Sequence, residues 1–146
     1  MEIKIKPYTD LSKEELYRIL QLRNEVFIVE QNCPYLDLDD LDEKSYHVLG
    51  FNKVGICAYT RVFQAGDYFK DPSIGRVAVS KASRGLGYGK KIMQASVEFI
   101  DSKWPNQPIV ISAQLYLKKF YEELGFKTKG EEYLEDDIPH IKMIRP

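Results

Sequence analysis

Residues 74–90 read IGRVAVSKASRGLGYGK. The stretch SIGRVAVS (73–80) is a short β-rich run and reads as a strand. SRGLGYGKK (83–91) follows as a glycine-rich turn, and Ile92, Met93, Ser96, Val97 and Ile100 then recur at helical spacing. Strand, glycine turn and helix in that order make an anion cradle. Glycines let backbone N–H groups approach a ligand with no β-carbon in the way. The helix start adds unpaired N–H donors and a positive dipole end. Arg84, Lys90 and Lys91 add full charges. Two familiar phosphate motifs fail here. A P-loop beginning at Gly85 needs glycine at position 90, which is Lys90, and a dinucleotide fingerprint on Gly87 and Gly89 needs glycine at 92, which is Ile92.

Working outward, EIKIK (2–6) alternates with period two and predicts a strand closed by Pro7. Ser12 and Glu15 have capping-box spacing, and Leu16, Ile19, Leu20, Arg23, Val26 and Phe27 continue a helical stripe, so a helix is expected over 12–29. Residues 30–44 hold Pro34 and the acids Asp37, Asp39, Asp40, Asp42 and Glu43, and read as a loop or short irregular helix. YHVLGF (46–51) and VGICAYTRVF (54–63) predict two strands joined by an Asn52-Lys53 hairpin link. Gly66-Asp67 marks a loop, and Trp104-Pro105 ends the helix after the glycine turn. PIVIS (108–112) suits a strand buried on both faces. A helix over 114–124 is capped by Gly125, and the tail supplies a final hairpin. The alternation predicts one α/β domain over 1–146, a mixed, twisted sheet flanked by helices.

The composition narrows function. The chain has 146 residues, with 21 Lys+Arg against 22 Asp+Glu and a net charge of −1, too balanced to coat nucleic acid. No apolar run spans a bilayer, and the N-terminus lacks a signal-peptide core, so neither membrane nor secretion is expected. Two cysteines, Cys33 and Cys57, favour a reduced, cytoplasmic setting over a disulfide scaffold and are too few for a zinc site. Asp37 and Asp39 begin an EF-hand-like pattern, but Leu41 breaks it and no glycine follows, so no metal is assigned. The acidic stretch is expected to be a solvated loop that attracts cationic amines.

The glycine turn, read as [R/Q]-x-x-G-x-[G/A] over Arg84 to Gly89, resembles that of the GCN5-related N-acetyltransferases (GNAT). LRNEVFIVEQNCPYLDLDDLD (22–42), AQLYLKKFYEELGF (113–126) and YLEDDIPHIKM (133–143) extend the likeness, in order, to the ElaA-like branch of that family. The resemblance implies a GNAT-like acyl-CoA N-acyltransferase fold. It also implies direct transfer of acetyl from acetyl-CoA to a primary amine of a small molecule or peptide. A catalytically silent acyl-CoA sensor is the alternative reading. A homodimer is expected by family habit.

The resemblance also implies roles. Val77, Ala78 and Val79 offer backbone to the pantetheine arm, with the Val79 N–H polarising the thioester carbonyl. Arg84, Gly85, Leu86, Gly87, Tyr88, Gly89 and Lys90 hold the pyrophosphate, Leu86, Tyr88 and Lys90 through their main chain, with loop stabilisation as the alternative role of Arg84. Tyr121 protonates the leaving thiolate, whereas Tyr116 falls on another face of the helix. Gln114 stands near a position where relatives carry an asparagine that contacts pantetheine. Glu30, His47 and His140 are candidate bases, and Arg23, Glu30, Gln31, His47 and Arg76 are expected to face the acceptor. An equally physical reading of Arg23 is a structural ion pair with an acid. The branch often reads E-D-G-I-P-H, and Asp137 replaces that glycine here. Aspartate is among the residues that best tolerate φ > 0. Cys33 as an acyl carrier is unnecessary for direct transfer.

Overall fold

The computed structural model describes all 146 residues, Met1–Pro146. Eight strands form one mixed sheet. They are β1 (Glu2–Pro7), β2 (Tyr46–Phe51), β3 (Ile56–Phe63), β4 (Ser73–Val79), β5 (Ile109–Gln114), β6 (Lys127–Thr128), β7 (Tyr133–Glu135) and β8 (Ile138–Arg145). The order is β1-β2-β3-β4-β5-β8-β6, with β7 also pairing β8. All pairs are antiparallel except β4–β5, and that exception carries the site.

The helices cover both faces. Helix α1 (Lys13–Arg23) starts where expected, with the Glu15 amide donating to Ser12 Oγ at 3.0 Å and the Ser12 amide donating to Glu15 Oε1 at 2.9 Å. It runs on into a π-helical stretch, Asn24–Glu30, which packs Val26 and Phe27 inward. With Ile19 and Leu22 these side chains bury Leu49, Tyr59 and Ala78 on one sheet face. Helix α2 (Tyr88–Lys103) lays Ile92, Met93 and Ile100 on the other face, against Val48, Val62 and Ile74. The short α3 (Lys118–Glu122) ends at Gly125, whose φ of +94° suits its capping position.

Several boundaries moved. The β2–β3 link is four residues, not two: the Asn52 side chain accepts from the Val54 and Gly55 amides, and a bulge follows Gly50, so β3 begins at Ile56 rather than at 54. Gln114 ends β5 instead of opening a helix, and residues 115–117 form a 3₁₀ turn before α3. The last hairpin has a two-residue turn, Asp136-Asp137, with φ of +51° and +61°. Both angles are those of a type I′ turn, so Asp137 does adopt the left-handed backbone that a glycine would favour.

Strand β4 carries a bulge. The register passes from Tyr59↔Ala78 to Arg61↔Gly75, two residues on β3 against three on β4. Arg76, at the bulge, has φ of +50°, a conformation costing about 1–3 kcal/mol that needs other contacts to hold it. The bulge bends the strand. Beyond Ser73↔Val110, the only paired position of β4 and β5, the two strands part. A notch therefore opens through the sheet between them.

Candidate functional site

The notch opens into a cavity of about 590 Å³, a size that suits a small ligand. The ladder pattern sets its chemistry. Because the Ser80 amide donates to Cys57 O on β3, strand alternation turns the N–H and C=O of Val79 the other way, into the notch. The carbonyl is taken: Arg84 donates to it from Nε at 3.2 Å and Nη2 at 3.0 Å. The N–H faces the gap that β5 has left.

On the α2 side of the notch lies the glycine turn. Gly85 and Gly87 have φ of +82° and +78°, and a Cβ at either would meet nothing within 4 Å. The space above the turn is open, and Gly87 leads directly into α2. The turn, with Arg84, Tyr88, Gly89 and Lys90 beside it, lines the cavity and fits a diphosphate. Leu86 does not line it; its side chain projects to solvent. Val77 and Val79 line the notch, while the Ala78 side chain packs in the α1-face core. Tyr121 lines the cavity with 5% of its surface exposed, edge-on to Phe120 and Phe126. Burial, then the neighbouring Tyr116, pushes its phenol well above the usual value. Tyr116 itself is largely exposed.

On the α1 side the cavity widens into a chamber. Arg61 and Phe63 of β3, Ser73 and Gly75 of β4, and Tyr68 and Phe69 of the intervening loop form one wall. Ser112, Gln114 and His140 form the other, with Glu135 and Asp136 at the hairpin. Phe27, Gln31 and Tyr35 roof it. His140 is register partner to Gln114. Its Nδ1 donates to Ile138 O at 2.7 Å, leaving Nε2 3.3 Å from Glu135, and Tyr133 stacks on the ring.

The residues expected to face the acceptor, and the candidate bases, divide. Glu30, Gln31, Arg76 and the candidate base His140 reach the cavity. Arg23 and His47 do not. Arg23 is 0% exposed and donates to Asp37 Oδ2 at 2.9 Å and Asp42 Oδ1 at 2.7 Å. Burial works against its charge, but the carboxylates of Asp37 and Asp42 outweigh it and hold the guanidinium protonated. The structural ion pair is thus what the chain builds. His47 is also 0% exposed, between Tyr59 OH, Ser45 and Asp42 O, and burial holds its protonation well below the usual range. A ring so enclosed exchanges no proton with a substrate.

Glu30 lies at the lip of the cavity, clamped by both Arg84 Nη atoms. The Arg84 bonds hold its carboxyl below the usual carboxylate range, which makes it a poor base. The clamp ties the π-helical stretch to the glycine turn.

The acidic loop is not the solvated feature its sequence predicts. Asp37, Asp39 and Asp42 are used internally by Arg23, Arg61 and Arg76. Arg76 Nε donates to Asp37 Oδ1 at 2.8 Å and Nη2 to Asp37 O at 3.0 Å. These bonds pin the strained bulge residue. The chamber's negative charge comes instead from Glu135 and Asp136. Glu135 and Asp136 lie in the YLEDDIPHIKM block and Phe63 ends a predicted strand, but none of them was marked as a site residue, and Tyr68 and Phe69 carried no signal; they converge only when the 64–72 loop folds beside the last hairpin.

A profile of the Acetyltransferase (GNAT) domain matches residues 9–145. Protein ElaA of Escherichia coli K12 is 43% identical over 140 residues, covering 94% of this chain and 92% of the relative. The crystal structure of Escherichia coli ElaA superposes with a TM-score of 0.93 at 40% identity, and that of an acyl-CoA N-acyltransferase from Pseudomonas aeruginosa with 0.93 at 39%, each covering 100% of both chains. No helix of the fold is long and apolar enough to cross a membrane. With its notched sheet, its glycine turn and these relatives, the chain belongs to the GNAT family of acetyltransferase domains.

Proposed function

We propose that this protein transfers the acetyl group of acetyl-CoA directly to the primary amine of a small acceptor or peptide end. The single observation carrying this reading is the Val79 N–H turned into a notch whose two mouths differ. One mouth has the open glycine turn, suited to a diphosphate, and the other has the aromatic and acidic chamber, suited to an amine. Bound acetyl-CoA supplies the thioester, a carbonyl activated towards amines.

The chain's own groups do the rest. The Val79 N–H donates to the thioester oxygen as negative charge grows there, an effect worth a few kcal/mol. Glu135 and Asp136 draw a cationic amine towards the chamber. His140 takes the amine proton on Nε2, its Nδ1–H being held by Ile138 O. Nitrogen–carbon bond formation expels sulfur, and Tyr121 OH hands the thiolate a proton. The dry setting that keeps the phenol protonated also raises the basicity of the departing thiolate, so the transfer stays matched. The roof of Phe27, Gln31 and Tyr35 favours a compact acceptor over a broad protein surface.

The test is to offer acetyl-CoA with a panel of amines and follow thiol release. Turnover on at least one amine is expected, and Tyr121→Phe is expected to slow it by about a hundredfold with coenzyme A affinity unchanged. Coenzyme A binding with no turnover on any amine would sink the enzymatic reading.

A further inference from the structure

Gln31 and Gln114 meet across the cavity. Gln31 Nε2 donates to Gln114 Oε1 at 3.0 Å, and Gln114 Nε2 donates back to Gln31 Oε1 at 3.3 Å. One residue follows the π-helical stretch, and the other ends β5. Each amide thus donates one hydrogen bond to the other and accepts one, and together they bridge the two walls on the α1 face. Gln31, Gln114 and Val79 line the same cavity, so the bridge and the Val79 N–H face one space.

We propose that the Gln31–Gln114 bridge limits the length of the acyl group the protein accepts, keeping it short and excluding medium-chain acyl-CoA. The inference rests on the acetyl-CoA reading above. A pantetheine arm that enters from the glycine turn and places its thioester at Val79 points any acyl tail onward, to the α1 face. A two-carbon group ends before the bridge. A six-carbon tail runs into it and must break both hydrogen bonds of this half-buried pair. Around the bridge the chamber is lined by Phe27, Phe63, Tyr68 and Phe69, and Gly75 leaves open space, with nothing within 4 Å of a Cβ there. Removing either glutamine opens room that suits hydrocarbon.

Calorimetry with coenzyme A, acetyl-CoA and hexanoyl-CoA, each without acceptor, tests this on the wild type, Gln31→Ala, Gln114→Ala and the double variant. The wild type is expected to prefer acetyl-CoA over hexanoyl-CoA by about tenfold. Either single variant is expected to bring that ratio to unity or invert it. The double variant should go no further, since the bridge needs both partners. Variants on opposite walls, each checked by its melting curve, guard against one failing to fold. If coenzyme A binds and the chain-length ratio is the same in all four proteins, or the wild type binds hexanoyl-CoA as tightly as acetyl-CoA, the bridge is no gate. No heat with coenzyme A itself would overturn the acetyltransferase reading instead, and this one with it.

Discussion

Asp42→Asn probes the arginine–aspartate network that braces the notch. Asp42 Oδ1 accepts from Arg23 Nη1 at 2.7 Å and from Arg61 Nη1 at 2.9 Å, and the two arginine side chains are 0% and 2% exposed. The asparagine keeps an oxygen but removes the charge, so three guanidiniums face two carboxylates. Breaking a buried pair from one side costs about 3–5 kcal/mol. Asp37 still reaches Arg23 and Asp39 still reaches Arg61, so the low end, about 3 kcal/mol, is expected. With an unfolding entropy of about 2.1 cal/mol/K per residue, a chain of this size loses ~10 °C in Tm. Far-UV circular dichroism melts at pH 7 read this directly. The pH dependence has a sign. Arg23 and Arg61 outweigh burial and hold the Asp42 carboxyl below its ordinary value of 3.8. Its contribution is therefore complete above that value and fades as pH falls through the lower, folded one. The gap between wild type and Asp42→Asn should close on acidification below about pH 4. A Tm drop under ~3 °C at neutral pH, or a gap that widens in acid, would refute the network as a brace.

Gly87→Val puts a β-branched residue at φ of +78°. It is expected to weaken coenzyme A binding by about tenfold or more, read by calorimetry, because the turn must relax out of its cradle shape. Glu30→Gln should leave the pH–rate profile unchanged, since the Arg84-bound carboxylate is too weak a base; loss of a limb of that profile would restore Glu30 as the base. Its melting temperature should stay within ~3 °C of wild type, as expected for an exposed pair. His140→Gln should cut kcat by about a hundredfold with coenzyme A affinity unchanged, and a variant that retains the wild-type kcat excludes His140 as the base.

Much of the fold was legible because its signals are local. The capping box at Ser12 and Glu15 and the apolar stripe of α2 involve residues near one another in the chain. So do the glycines at 85 and 87, whose backbone angles their residue type permits. At the last hairpin it was the family resemblance that pointed to Asp137 as a residue tolerating φ > 0, and the structure gives both Asp136 and Asp137 positive φ. The acidic loop was not legible. Asp37, Asp39 and Asp42 look like solvent-facing acids until Arg23, Arg61 and Arg76 arrive from a helix and two strands. A helical stripe likewise shows that Arg23 points inward but not which acids meet it there.

The sequence by itself determined the order of elements, the placement of a glycine turn between strand and helix, and membership of the family, because residue type and spacing constrain nearby backbone. Only the tertiary structure decided the bulge at Arg76, the parting of β4 and β5, the sequestration of His47, and the meeting of Gln31 with Gln114. These depend on pairing between segments far apart in the chain, where register and side-chain partners are set by which surfaces come together and not by any local preference.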